Sequence, residues 1–203
     1  MSIFHIAITN KTPAPSVFLP MDRPDAEKLL YDLGLDVPGT EHAMDLYTDY
    51  SGIPIEPGTD FRALNRLAQR ISDMGELERE TFRAWGSAQP TRPEGGKQGA
   101  CSVEDALKAS YHLREFEFYP GFGSDEAISE VALEGEEYSG MSDEAFAMLD
   151  RAKVGARMRE RDGGVFAAGG YLIAGDITGE ELPAEESMPW IEVRFRRGEL
   201  DSG

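Results

Sequence analysis

The chain is poor in the residues that build disulfides, metal sites and membrane spans. Cys101 is its one cysteine, so no intrachain disulfide can form, as is usual in a reducing cytoplasm. His5, His42 and His112 lie far apart, with no second metal ligand at helical or loop spacing. No run approaches about 18 apolar residues, and the first residues lack the cationic start and apolar core of a signal peptide. We therefore expect a cytoplasmic protein without a bound metal or other cofactor.

Basic residues are missing from one long segment. Between Glu115 and Asp150 the sequence has eleven Asp or Glu residues and no Lys or Arg. The whole chain has a formal charge of −18, because 38 acidic residues outnumber 20 basic ones. Nucleic acids and anionic membranes carry the same sign of charge. The composition therefore argues against both as partners and favours a cationic protein surface.

The acidity also has a less specific explanation. Only five of the cations are lysines, against fifteen arginines, as in a GC-rich genome or a salt-adapted proteome, and surface acids also aid solubility. Composition alone leaves both explanations open, so the placement of the acids has to separate them.

Residue patterns predict an α+β protein made of small subdomains. The first, residues 1–58, has strands at Ile3–Thr9 and Ser16–Leu19, then a helix to about Leu33 with Asp22 as its N-cap. A strand and turn follow at 41–54, closed by glycine and proline.

The second segment, residues 59–100, is predicted to be a helical hairpin followed by a linker. Asp60 can cap a helix whose apolar residues recur at helical spacing, namely Leu64, Leu67, Ala68 and Ile71. Gly75 breaks this helix, and a second helix spans 77–85. Residues 86–100 are rich in Gly, Pro and polar side chains, which is typical of a flexible linker.

The third segment, residues 101–175, is predicted to contain helices and short antiparallel strands. A helix at 103–113 precedes a strand at 115–119, and Ser124 and Ser142 are suitable N-caps for two further helices. A hairpin at 165–173 turns at its paired glycines. The fourth segment, residues 176–203, is an acidic tail with a predicted final strand at 190–196.

Three acids in the cation-free segment follow a helical spacing that costs stability. Glu126, Glu130 and Glu134 recur every four residues, opposite the side that carries Ile128 and Val131. Like charges at this spacing cost a helix roughly 0.2–0.5 kcal/mol per pair. A helix needing only solubility would interleave lysines with these acids, so the row of carboxylates favours a binding role.

The sequence contains no motif of a known catalytic or ligand site. The acids near Asp143 lack the alternating oxygen ligands and central glycine of a calcium loop. The glycines at 163–170 lack the Gly-Lys-Ser/Thr of a phosphate-binding loop, and no nucleophile sits in a recognisable elbow. We therefore expect a protein that is not an enzyme.

A row of helical carboxylates can approximate a row of phosphates. Side chains on successive helical turns lie about 5–6 Å apart at Cβ, and duplex DNA carries a phosphate about every 3.4 Å of axis on each strand. A protein whose cations are arranged to bind DNA would be attracted to such a helix, although the helix offers no bases for it to recognise. The charge pattern thus indicates a protein-binding surface that mimics DNA.

Four collinear stretches resemble the ArdA-type antirestriction family of mobile elements. They are DYSGIP (49–54), LNRLAQRISDMGELERETFRAW (64–85), SVEDALKASYHLREFEFYPGFGSDEAISEVALE (102–134) and LDRAKVGARMRERDGGVFAAGGYLI (149–173). The resemblance implies an elongated protein of small α/β domains that mimics bent B-form DNA. It also implies a homodimer that occupies the DNA-binding groove of type I restriction-modification enzymes.

Eleven acids form the candidate surface and are expected to act collectively, since each exposed charge contributes little and is screened by salt. They are Glu115, Glu117, Asp125, Glu126, Glu130, Glu134, Glu136, Glu137, Asp143, Glu144 and Asp150. Two alternatives stay open. One is an inhibitor of another nuclease, such as an anti-CRISPR protein with the same anionic surface. The other is an acidic enzyme from a salt-adapted organism, with evenly scattered charge and a polar cleft.

Overall fold

A computed structural model describes residues 2–9, 12–35, 44–49, 60–89, 101–133, 140–178 and 180–182. Its helices are α1 (Arg23–Asp32), α2 (Phe61–Asp73), α3 (Glu76–Ser87), α4 (Val103–Tyr111), α5 (Asp125–Leu133), α6 (Asp143–Ala147) and α7 (Arg151–Asp162). Its strands are β1 (Phe4–Ile8), β2 (Ser16–Leu19), β3 (Met44–Asp49), β4 (Glu117–Pro120), β5 (Val165–Ala167) and β6 (Gly170–Ile173). These elements confirm the predicted α+β class with short antiparallel strands.

The chain divides into two compact units, whose ranges alternate along the sequence. Unit 1 comprises Met1–Met74, Cys101–Tyr111 and Glu180–Gly203, and unit 2 comprises Gly75–Ala100 and His112–Gly179. The division separates α2 from α3, which the sequence analysis grouped in one segment, and it joins α4 to the N-terminal elements.

Unit 1 has a three-stranded antiparallel sheet in the order β2-β1-β3. The central strand β1 pairs with β2 in the register Phe4↔Leu19 and Ile6↔Val17, and its pairing with β3 shifts between His5 and Ile6. Phe4, Ile6 and Ile8 alternate along the central strand, so they share one face of the sheet, and all three are fully buried.

The first helix of unit 1 starts without the predicted side-chain cap. Asp22 occupies the N-cap position, but its side chain makes no capping hydrogen bond. Pro24 lies in the first turn, where its missing N–H costs nothing because that group has no helical partner. Ala26 and Leu30 are the buried residues of this helix.

Helix α2 matches its sequence pattern closely. The Asp60 side chain accepts hydrogen bonds from the backbone N–H groups of Arg62 and Ala63, as an N-cap does. The predicted apolar stripe is buried, namely Leu64, Leu67, Ala68 and Ile71. Helix α4 packs against α2, and the guanidinium groups of Arg66 and Arg70 lie 5.2 and 5.8 Å from the centre of the Tyr111 ring.

A buried asparagine ties α2 to the segment before α1. The Asn65 Oδ1 accepts from the Met21 N–H at 2.9 Å, and its Nδ2 donates to the Met21 carbonyl at 3.0 Å. Asn65 is fully buried, so this pair of hydrogen bonds satisfies an amide that would otherwise be costly to bury.

Unit 2 contains a second antiparallel sheet, in the order β4-β6-β5. The predicted hairpin is confirmed: β5 and β6 pair from Ala167↔Gly170 to Val165↔Leu172, and Gly169 supplies the φ of +85° that the turn requires. Tyr171 and Leu172 are buried on β6. Helix α3 packs on this sheet with Phe82 and Trp85, whose ring centroids are 5.8 Å apart.

Helices α5 and α7 pack against each other in unit 2, and one glycine permits their close approach. A Cβ atom on Gly155 would lie 1.7 Å from the Asp125 carbonyl oxygen, so no larger residue fits without displacing a helix. Val154 and Met158 complete the buried face of α7.

The boundaries between α4 and β4 differ from the predicted ones. Helix α4 ends at Tyr111, a 3-10 turn spans Leu113–Glu115, and β4 begins at Glu117. The turn after β3, most of the 86–100 linker and the final strand at 190–196 lie outside the described residues. No helix in the described ranges has the length and apolar character needed to cross a membrane.

Candidate functional site

The strongest part of the predicted surface is the outer face of α5. The Ser124 hydroxyl caps this helix by accepting from the Ala127 N–H at 3.2 Å. Glu126 and Glu130 are exposed one turn apart, while Ile128 is buried on the opposite side. Neither glutamate forms an ion pair with any residue that the structure describes. Their negative charge is therefore presented to solvent.

Asp125 is engaged within the fold and does not belong to the free surface. Its two carboxylate oxygens accept from Arg159 Nε at 3.0 Å and Arg159 Nη2 at 3.3 Å. This bidentate pair links α5 to α7, and the hydrogen bond to Asp125 raises the pKa of Arg159 above its ordinary value. The sequence analysis assigned Asp125 to the binding surface, because nothing local indicates a partner in α7.

Asp150 has a structural role at the start of α7. Its Oδ1 accepts from the Lys153 backbone N–H at 3.2 Å, and its Oδ2 pairs with Lys153 Nζ at 2.9 Å. The Lys153 side chain is the main reason that the pKa of Asp150 is lowered. An aspartate directly before a helix is a recognisable N-cap signal, so this role of Asp150 was predictable from the sequence.

Glu115 and Glu117 are exposed at the end of the 3-10 turn and the start of β4. The Tyr119 hydroxyl donates to Glu117 Oε2 at 3.0 Å, as alternate residues on a strand can do. Burial raises the pKa of Tyr119, and the hydrogen bond to Glu117 adds to the increase. The phenol therefore stays protonated near neutral pH and can donate this hydrogen bond.

The remaining predicted acids fall into two groups. Glu144 is exposed on α6, and the Asp143 backbone begins that helix, although its side chain is outside the described part. Glu134, Glu136 and Glu137 lie outside the described residues altogether. Among the acids of the predicted surface that the structure describes, only Glu126 and Glu130 are exposed on one face of the same helix. Glu115, Glu117 and Glu144 extend the exposed set from other elements of unit 2.

The sequence analysis missed the role of the arginines of α7 in this site. Segment 115–150 has no cation of its own, but α7 supplies one to Asp125. Arg159 also lies over the Phe166 ring, 5.4 Å from its centre. Residues close to Arg159 in the sequence do not indicate the contact with α5, because it depends on tertiary packing.

Unit 1 has an open cleft of about 400 Å³ beside the first turns of α2 and α4. Both cations and acids line it, among them Arg62, Lys108 and Glu104. Arg62 makes two hydrogen bonds to Glu27, at 3.2 and 3.3 Å. Asp60 caps α2, and Asp105 bonds to Ser102 at 2.6 Å. Several charged side chains of the cleft therefore already make hydrogen bonds within the fold. This arrangement does not favour a catalytic role for the cleft.

No group of three or more His, Cys, Asp or Glu side chains within the described ranges is placed to hold a metal ion.

Comparison with protein-family models and with curated protein sequences finds no match to this chain.

Proposed function

We propose that this protein is a non-catalytic inhibitor that offers carboxylates in place of DNA phosphates and occupies the DNA-binding groove of a type I restriction-modification enzyme. The observation that carries the proposal is the pair Glu126 and Glu130 on α5. Both are exposed, neither is ion-paired within the described residues, and they lie in a segment without a cation.

The physical basis is the attraction between a rigid row of anions and a groove lined with Lys and Arg. Binding to such a groove makes no base-specific contacts. The affinity therefore depends on where the charges are placed, and added salt weakens it. The formal charge of −18 adds a long-range attraction that speeds encounter with a cationic surface.

The internal ion pairs narrow the set of residues that can serve this function. Asp125 pairs with Arg159 and links α5 to α7, whereas Asp150 pairs with Lys153 and caps the start of α7. The proposed contact residues among the described acids are therefore Glu115, Glu117, Glu126, Glu130 and Glu144. The resemblance further suggests a homodimer, which would lengthen the anionic surface, and a cytoplasmic location, where the target enzyme meets incoming DNA.

The direct test is competition with duplex DNA for a purified type I methyltransferase. Wild-type protein is expected to displace labelled DNA, and added salt is expected to weaken its complex with the enzyme. Displacement that does not depend on salt, or no displacement, would contradict the proposal. Binding to a CRISPR effector without binding to the methyltransferase would favour the anti-CRISPR alternative.

A matched pair of quadruple variants separates the surface from net charge. Replacing Glu117, Glu126, Glu130 and Glu144 with lysine should abolish displacement, whereas one replacement alone should change it little. The control carries the same charge change on exposed acids of unit 1, namely Asp32, Asp45, Asp73 and Glu104. Equal losses in both variants would mean that net charge, and not this surface, drives binding.

A further inference from the structure

The sheet of unit 2 has an edge strand, β5, that lies in an uncharged part of the chain. Residues 163–175, which contain β5 and β6, are the longest stretch of the sequence without Asp, Glu, Lys or Arg, although 29% of the chain is charged. Strand β5 pairs with β6 on one side, and no other strand that the structure describes pairs with its second side. An open strand edge is a template on which another strand can pair.

The other edge strands that the structure describes carry features that oppose such pairing. Strand β2 lies between Pro15 and Pro20, β3 carries Asp45, and β4 carries Glu117 and ends at Pro120. Proline lacks the N–H that a neighbouring strand needs, and a charged side chain is costly to cover. Among these described edges, only that of β5 has neither protection.

The side chains of β5 are open to solvent on both faces of the sheet. Successive residues of a strand point to opposite faces, yet Val165 is 43% exposed and its neighbour Phe166 is 39% exposed. The Phe166 ring also lies beside the Tyr171 ring of β6, with centroids 5.8 Å apart. Covering the exposed part of these two apolar side chains would be favourable.

The backbone of Phe166 faces the open edge. The Gly121 N–H donates to the Gly169 carbonyl at 2.8 Å at the end of the ladder between β4 and β6, in which hydrogen-bonded residues alternate. The backbone groups of Tyr171, two residues further on, therefore also face β4. Phe166 is the partner of Tyr171 in the ladder between β5 and β6, so its own N–H and C=O point away from β6.

We propose that β5 pairs with β5 of a second copy of this chain, antiparallel and with the two Phe166 residues opposite each other. The N–H and C=O of each Phe166 would then bond to those of the other, which is the self-complementary contact of a two-fold dimer. The two three-stranded sheets would form one continuous sheet with no open edge at β5. This proposal goes beyond the proposed function and does not depend on it.

The charge of the chain favours a second copy as the occupant. Two molecules of formal charge −18 repel each other, and this repulsion is least where they meet through uncharged segments. A cationic groove would be attracted to the acids and would gain no electrostatic energy from an uncharged strand. A second copy also brings an identical open edge, so a single contact covers both.

The test is sedimentation velocity of the full chain over a range of protein concentrations. Wild type should pass from monomer to dimer as its concentration rises. Added salt should strengthen the dimer, because it screens the repulsion between like charges, whereas an interface held by ion pairs would weaken. Phe166→Lys should raise the dissociation constant of the dimer about tenfold or more, because an ammonium group is costly to bury between paired strands.

The matched control is Phe18→Lys, the same change at an exposed phenylalanine on the edge strand β2 of unit 1. Both variants make the net charge less negative, so neither can weaken the dimer through general repulsion. Val165→Lys changes β5 on its other face without removing the Phe166 ring, and it should also weaken the dimer. Thermal melts identify the variants that fold.

A wild type that stays monomeric at every concentration would overturn the proposal. So would a dimer that salt weakens, a dimer that survives both substitutions in β5, or an equal loss in Phe18→Lys. The proposed function is tested separately by DNA competition. A monomer that displaces DNA would leave that function standing, and a dimer that does not displace DNA would leave only the β5 contact.

Discussion

Arg159 holds Asp125 through two parallel hydrogen bonds, from Nε to Oδ1 at 3.0 Å and from Nη2 to Oδ2 at 3.3 Å. The two residues are 34 positions apart, on α7 and α5. Planar, bidentate pairs fix orientation as well as distance. The contact therefore sets how the outer carboxylates of α5 are placed relative to the cations of α7 within unit 2.

We expect removal of either partner of this ion pair to lower the melting temperature. Asp125→Asn and Arg159→Gln each leave one charge without its partner, so each single variant should melt earlier than wild type. The double variant should lose less than the sum of the two losses, because it leaves neither charge uncompensated. Thermal unfolding followed by circular dichroism measures this. Strictly additive losses would show that the residues do not stabilise one another.

Gly155→Ala should destabilise the packing of α5 on α7. The added Cβ would lie 1.7 Å from the Asp125 carbonyl oxygen, so one helix has to shift. Overpacking of this kind typically costs about 1–3 kcal/mol, measured here by urea unfolding. Gly123→Ala is the matched control, since a Cβ there has no neighbour within 4 Å and the backbone angle is ordinary. Equal stability of the two variants would contradict the close contact.

Asn65→Leu should cost unit 1 about 1–3 kcal/mol, because it leaves the Met21 N–H without its partner and the Met21 carbonyl with only the bond from Gln69. The milder control is Gln69→Ala, which removes a single bond from Nε2 to the Met21 carbonyl at 3.1 Å. Urea unfolding of both variants should rank Asn65→Leu as the more damaging. The reverse order would mean that the Met21 bonds contribute little.

Alkaline pH should destabilise unit 2 through Tyr171. Burial raises the pKa of this phenol, and the nearby charge of Asp162 raises it further. The folded state therefore favours the protonated form, and this stabilisation is complete below the ordinary tyrosine pKa of about 10 and is lost as pH rises through the folded pKa. The free energy of unfolding should fall above that pH when measured by urea unfolding.

The variant Tyr171→Phe tests the source of this dependence. The Tyr171 hydroxyl is buried and has no hydrogen-bond partner in the described part of the chain, so removing it should not destabilise the fold near neutral pH. The variant should lose part of the alkaline decrease. An unchanged decrease would assign it to other groups, among them Tyr119, whose pKa is also raised.

Features that depend on residues within about four positions were predictable from the sequence. Asp60 caps α2, Ser124 and Ser142 accept the expected N–H bonds, and α7 ends at Gly163 with a φ of +68°. Each of these follows from local hydrogen-bonding chemistry and backbone freedom. The buried stripe of α2 was predictable for the same reason, since helical periodicity alone determines which residues share a face.

Features that depend on tertiary contacts were not predictable. Any of the fifteen arginines in the sequence could in principle pair with Asp125, and only the packing of α7 on α5 selects Arg159. The association of α4 with α2, across a long intervening stretch, likewise has no local signal. The predicted site was therefore defined only by the positions of its carboxylates in the chain. It included two carboxylates that stabilise the fold through ion pairs.

Exposed acids on α5 and exposed cations on α7 distribute the charge of unit 2 unevenly, in addition to its net charge. A molecule with a dipole experiences a torque in the field of an approaching charged surface, before any atoms touch. Its rotation during diffusion would then be biased, so that the anionic end leads and fewer collisions are wasted in the wrong orientation. Exchanging the acids of α5 for the cations of α7, at constant composition, would reverse which end arrives first.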